Sequence, residues 1–426
     1  MKRLFIATVV SWLATLATPG LHGATLEEWP QFRGPDGQGH TAAANLPLKW
    51  SETENVAWKA ADPGQGWSSP VISAGQVWIT TATEEGKSLR AVALDLASGK
   101  MLRDVEVFHR DTPISMNPMN SSASSSPVVE SGRLYVTFGS GCTACLATDT
   151  GAILWKREDL VIDHFVGPGS SPALARDKLI IPFDGNDLQF VVALDKQTGR
   201  TAWTANRSFE NGKKPYPSHS VCTPLIVSLN GVDQVVVPGA QRTFAYDLAT
   251  GKELWWVTHR GWSVVPRPVY GNGLFYTTTG YGADDNSALL AIRPDGSGDV
   301  TESHVAWRMT RNVSMMSSPV LVEKWLFAVS EDGMAYCLDA LTGADLWRQR
   351  INGKYSASPL AAPGRIYYFD RDGTTTVIEA SGTYALLAKN KLESGCMASA
   401  AVSGNGLIVR TKKHLYRIEN STSQAQ

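Results

Sequence analysis

Short apolar runs, each bounded by Gly, Asn, Asp or Ser, follow one another along this chain from about residue 55 to residue 420, and helical periodicity is absent beyond the N-terminus. Eight of these runs open on a small residue, usually Ser, followed by a Pro-type position. They begin at Ser69-Pro70, Ser126-Pro127, Ser171-Pro172, Thr223-Pro224, Arg267-Pro268, Ser318-Pro319, Ser358-Pro359 and Ser399-Ala400, at intervals of 57, 45, 52, 44, 51, 40 and 41 residues. The second repeat shows four β-rich runs, starting at Ser126, Gly132, Ala144 and Thr150 and ending at Trp155. A period of roughly 40–50 residues carrying four strands is that of a β-propeller blade, which buries its faces only against neighbouring blades. The expected fold is therefore all-β, an eight-bladed propeller of four-stranded blades.

A second register lies after each third run: a small residue, an apolar residue, a carboxylate, then Thr-Gly and Trp. It reads Ala193, Asp195, Gly199, Trp203; Ala245, Asp247, Gly251, Trp255; and Cys337, Asp339, Gly343, Trp347. Asp followed by Thr-Gly makes a tight turn in which the carboxylate takes backbone N–H groups and Gly supplies φ > 0, aiming the outer-strand Trp sideways. Buried Trp removes about 150–250 Å² from water, so Trp58, Trp155, Trp203, Trp255, Trp307 and Trp347 are the expected adhesive between blades. Arg103 stands where the first repeat would have its Trp, and Ala147 and Arg293 replace the Asp in two others. The last repeat supplies only three runs. Asn55–Trp58, ahead of the first Ser-Pro, is its expected fourth strand, closing the ring and covering a sheet edge.

With this spacing the chain resembles the pyrroloquinoline-quinone (PQQ)-type propeller repeat and its tryptophan-docking motif. The segment Trp29-Pro-Gln-Phe-Arg-Gly-Pro-Asp-Gly-Gln-Gly39, together with Trp67-Ser-Ser-Pro70, Val265–Pro268 and His414–Glu419, is similar to a large family of secreted bacterial propellers with such repeats. In architecture it resembles the propeller subunit of the outer-membrane β-barrel assembly machine. Catalytic relatives with this repeat hold PQQ with Ca²⁺ through Glu and Asn, use an Asp base and cap the cofactor with adjacent cysteines. This chain has no Cys-Cys pair, and Leu146 after Cys145 excludes a Cys-x-x-Cys-His haem site. The resemblance therefore implies the fold and leaves PQQ with Ca²⁺ as the weaker alternative to no cofactor.

Charge and ends narrow the setting. The 426 residues carry a net charge of −1, which offers no global field for nucleic acid or an anionic membrane. Lys2 and Arg3 before the apolar run Leu4–Leu16 resemble a signal peptide, giving expected divisions at 1–23 (signal), 24–54 (extended Pro/Gly-rich segment), 55–420 (propeller) and 421–426 (polar tail). The protein is then periplasmic or secreted, without a lipobox and not integral to a membrane; an uncleaved anchor is the alternative. Of the five cysteines, Cys145 and Cys337 fall in the small-residue column and read as buried packing, and no second pair completes a metal site with Cys142 and Cys145. The acidic turns Asp184–Asp187 and Asp284–Asn286 read as solvated hairpins, and no metal or catalytic site is assigned.

The connectors from one repeat's outer strand to the next repeat's inner strand are rich in His, Arg and Trp. They are expected to gather His164, His219, His259, Arg260 and Arg311 as a weakly basic, pH-responsive ring, with Trp67 and Trp262 as stacking surfaces for a protein or glycan partner. The resulting reading is an exported, non-catalytic binding or scaffold propeller, a monomer or a component of a larger envelope assembly. The alternative is a quinoprotein-like dehydrogenase or another periplasmic enzyme acting on alcohols, sugars or polysaccharides.

Overall fold

The computed structural model describes residues 28–164, 166–208, 219–282 and 287–421. Eight blades of four antiparallel strands follow in chain order, each running from an innermost strand of three to five residues to an outermost one; the fourth gains a short fifth strand, Gly298–Asp299, paired in parallel with its outermost strand. The first comprises Val71–Ser73, Gln76–Thr83, Ser88–Asp95 and Met101–His109. The eighth takes Ala401–Ser403, Gly406–Arg410 and His414–Ile418 from the C-terminal end and Val56–Ala61 from the N-terminal end, with Lys59 opposite Tyr416. The expected eight-bladed propeller and its closure are both present. Asp62 and Arg410 lock that closure. Their side chains are 3% and 1% exposed, joined at 2.6 Å, and Arg410 Nη1 also donates to Ser68 Oγ at 2.7 Å and Thr80 O at 2.9 Å in the first blade.

Lateral packing follows one rule at four of the eight seams. The outer-strand Trp of one blade lies over the turn glycine of the next, and its indole N–H donates to the carbonyl just after that turn's carboxylate. Trp58 donates to Leu96 O and Trp203 to Leu248 O, both at 2.9 Å; Trp155 donates to Lys196 O at 3.2 Å and Trp307 to Ala340 O at 2.9 Å. The turn is rigid because Asp195, Asp247 and Asp339 each accept both the N–H and the hydroxyl of the Thr three residues on. Glycine is required twice over at the docking point. At Gly251, φ is +73° and a Cβ would lie 2.6 Å from the Trp203 ring.

Where the motif decays, other residues fill the seam. Arg103 Nη2 donates to Asp149 O between the first two blades. Trp255, fully buried, turns its N–H to Gln234 of its own blade (2.9 Å) while packing on Phe275 of the next. In the seventh blade Ala388 stands in the Trp column, and Trp50, from the segment before the propeller, is buried in the same cluster and stacked on Tyr367. Trp347 donates to Ser381 O at 3.3 Å and remains half-buried, less enclosed than Trp203 or Trp255.

The expectation of a solvated hairpin at Asp184 is corrected. Its side chain is 2% exposed and forms an ion pair with Arg207, itself 1% exposed, through bonds of 2.5 and 2.6 Å. Arg207 crosses the seam to Val237 O and the Phe244 ring of the fourth blade. A charge is affordable there because both partners are desolvated together in good geometry. Asp284–Asn286 lies outside the described residues.

Two glycines separate backbone strain from docking. Gly251→Ala should cost about 2–4 kcal/mol, combining positive-φ strain with collision against Trp203. Gly231→Ala, at φ +81° with nothing within 4 Å of its Cβ position, should cost only about 1 kcal/mol. Denaturant unfolding of both variants checks this, and equal costs would remove the docking contact from the account.

Candidate functional site: the connector-face well

Each Ser-Pro step starts a blade's innermost strand at the channel wall, where its amide has no neighbouring strand to bond. The next blade supplies an acceptor. The amides of Ser69, Ser126 and Ser171 donate to Ser126 Oγ, Ser171 Oγ and Thr223 Oγ1 at 2.8, 2.9 and 3.1 Å. Those of Arg267, Ser318, Ser358 and Ser399 donate to Ser318, Ser358, Ser399 and Ser69 at 2.9, 3.0, 2.8 and 2.9 Å. The circuit runs round the channel with one break, where Arg267 stands in place of a hydroxyl. Arg267 Nε instead caps Pro224 O at 3.1 Å.

The segment before the propeller closes one end of this channel. Trp29 bridges Ile72, Pro30 O accepts the Val129 N–H, Arg267 Nη1 donates to Phe32 O, Arg33 Nη2 to Pro319 O, and Gly39 O accepts from Ala361. These contacts reach five of the eight blades. Gly37 is obligatory, since φ is +68° and a Cβ would sit 2.2 Å from the Arg267 guanidinium. Phe32 thereby becomes the floor of a well of about 410 Å³ that opens toward the blade connectors.

The ring hydroxyls line the narrow end of this well, with Trp67, Trp262, Tyr281, Met119, Met316 and Met397 among the residues above them. Gly261–Trp262 pairs with Tyr281–Gly282 in a short ribbon that sets the Trp262 and Tyr281 rings 6.5 Å apart. Tyr281 is the sole ionisable side chain among the described lining residues; its hydroxyl donates to Glu331. No group of three or more His, Cys, Asp or Glu residues suited to a metal ion occurs among the described residues.

Of the expected site residues, the structure brings Trp67 and Trp262 together in the well. His219 is buried and meets the Trp262 ring edge-on at 5.3 Å. His164 lies in a separate crevice of about 20 Å³ between the second and third blades, where Nε2 accepts the Ser140 N–H at 2.9 Å. His259 is buried outside the well lining, and Arg260 and Arg311 are exposed. The pH-responsive ring is therefore corrected. Burial lowers His219 to about 4; burial and then Arg110 lower His164 to about 4; burial and then Arg308 lower His259 to about 3. The five cysteines are all buried and free of disulfides, and burial raises the Cys145 thiol to about 11.

The sequence reading missed the hydroxyl circuit, the Phe32 floor and the methionines. The first had a signal: the residue that opens the start is a hydroxyl at seven of the eight, where any small side chain would satisfy a strand opening.

A family model described as outer membrane protein assembly factor BamB matches residues 42–205, 187–299 and 297–424. The chain belongs to that family. An outer membrane protein assembly factor BamB from Legionella pneumophila (strain Paris) is 23% identical over 214 residues, covering 50% of this chain and 51% of that protein. The match thus spans about half the relative's length. BamB from Moraxella catarrhalis superposes with a TM-score of 0.59 at 15% identity, over 87% of this chain and 99% of that one. Quinohemoprotein alcohol dehydrogenase from Comamonas testosteroni superposes at 0.65 with 10% identity, over 93% and 81%. At these identities the structural likenesses carry the fold.

The buried histidines give a pH prediction. Their folded pKa values lie below the unfolded value of about 6.5, so the unfolded chain binds more protons in between and stability is lost as pH falls from about 6.5 toward 4. At pH 5 each contributes roughly 2 kcal/mol of destabilisation relative to pH 7. Urea unfolding at both pH values should show this loss, and a His259→Asn variant should reduce it by about a third; a pH-independent midpoint would contradict the buried neutral imidazoles.

Proposed function

We propose that the protein is an exported, non-catalytic propeller that binds a protein partner through its connector face, in the envelope setting of its family. The well's lining carries this reading. Its walls are aromatic rings, methionines and neutral hydroxyls, a composition suited to packing against a partner, since Trp and Tyr bury area at small entropic cost and Met adapts to the shape it meets. Among the described residues it offers no carboxylate to act as base.

The fold family implies a second reading through PQQ, an o-quinone with three carboxylates that would supply two-electron oxidation when bound. The residues do not fit it. A tricarboxylate in a closed site needs cationic side chains or a metal with its own carboxylate ligands, and the lining residues described here supply neither.

A photo-crosslinking residue at Met119, on the exposed lip of the well, should yield a discrete protein adduct in the native envelope. The adduct should be lost in Trp262→Asp and absent when the probe is placed at Val232, in the inner-strand hairpin of the fourth blade. Substrate-dependent dye reduction on adding quinone and Ca²⁺ to the purified protein would overturn this reading in favour of the dehydrogenase.

A further inference from the structure

The narrow end of the well has a one-sided hydrogen-bonding inventory. Ser69, Ser126, Ser171, Thr223, Ser318, Ser358 and Ser399 each accept a backbone N–H from a neighbouring blade. None of these hydroxyls donates to a described protein group. A hydroxyl holds one donor and two lone pairs, so each has its O–H left to give. Accepting an N–H polarises that O–H and makes it a better donor. Ser356, also in the lining, repeats the arrangement by accepting Arg371 Nε at 2.7 Å.

Positive charge lies beneath the floor. Arg33, in the plug, and Arg267, which donates to the Phe32 carbonyl, are 1% and 2% exposed, and Arg33 Nε and Nη1 are buried without a hydrogen-bond partner. Burial and then Arg267 lower Arg33 to about 9, and burial lowers Arg267 to about 10. The carboxylate nearest them in the plug, Asp36, is 41% exposed and already paired with His40. Glu331 is engaged by the Tyr281 hydroxyl at the wall. Near the floor, beside the two guanidiniums, the field therefore favours negative charge, while the walls favour apolar groups.

A ligand satisfying both would carry an acceptor-only group at its tip and apolar surface behind it. Because Phe32 closes the well, entry is end-on, and a chain passing through is excluded. A polypeptide C-terminus has this form: a carboxylate with up to about four lone-pair sites, beside one terminal side chain, on a single trailing strand. An Asp or Glu within a chain would need two strands to leave by the same mouth.

We propose that the well captures the C-terminal carboxylate of a partner polypeptide, held among the ring hydroxyls, with an apolar or aromatic terminal side chain against Trp67 and Trp262. This rests on the partner-binding reading above. The test is titration of the purified protein, followed by tryptophan fluorescence, with the peptide Gly-Gly-Leu-Phe as the free acid and as its C-terminal amide. The acid should bind at least tenfold more tightly, and Ser126→Ala with Ser318→Ala should narrow that ratio below threefold. Should those variants fail to fold, the wild-type ratio alone decides. Equal affinities, binding of neither peptide at about 1 mM, or preference for a neutral disaccharide such as maltose over the acid would overturn the proposal. A crosslink from Met119 without acid preference removes the carboxylate and leaves the partner-binding reading standing. Acid preference without a protein crosslink keeps the carboxylate site and counts against that reading.

Discussion

A propeller's innermost strands begin at the channel, where their first amides face neither a sheet neighbour nor bulk water, and burying an unpaired amide costs about 1–3 kcal/mol. This chain resolves the constraint at seven of the eight starts by giving the amide the hydroxyl of the following blade. Because the bond runs from blade to blade, no blade is complete alone, and the last is completed by Ser69 of the first. The same hydroxyls then form the inner wall of the well. The requirement that closes the ring thus also fixes what its binding cavity presents.

The outer seams use a different device toward the same end. Indole rings over positive-φ glycines hold blade against blade, and Trp58, carried on the N-terminal strand, docks on Gly99 of the first blade and so extends the rule across the closure. Blades that lost the Trp did not simply leave a gap: Arg103 and Trp50 each fill such a seam, and the buried Asp184–Arg207 pair reinforces one that keeps its Trp. Buried ion pairs add little net stability but are costly to break, which favours one blade geometry over alternatives. The plug belongs to this economy too, for it seals the channel and binds five blades, three through backbone hydrogen bonds and two through arginine side chains.

Much of the fold was legible because it repeats. The Ser-Pro starts, the Asp-Thr-Gly-Trp register and the displaced strand at Val56–Ala61 all rest on spacing, which a single sequence displays directly. The site was less legible because it depends on where connectors fold back. His259 and His164 are in connectors, as expected, yet packing turns them into the protein rather than toward the well. Asp184 looked like part of a polar hairpin, and nothing in Asp184-Gly-Asn-Asp187 announces that Arg207, on another strand, lies against it. The role of Trp29–Gly39 was hidden for the same reason: its Gly and Pro content excluded helix and strand without saying what the segment lies against.

Amide hydrogen exchange at the Ser-Pro positions tests the blade-to-blade circuit most directly, because Thr223 provides an internal control: the position it faces is Arg267, which has no hydroxyl to accept its N–H. The amides of Ser69, Ser126, Ser171, Arg267, Ser318, Ser358 and Ser399 should exchange slowly and with similar protection, while Thr223 exchanges much faster. Rapid exchange at several of the seven, or protection of Thr223 equal to theirs, would contradict a ring held together by its hydroxyls.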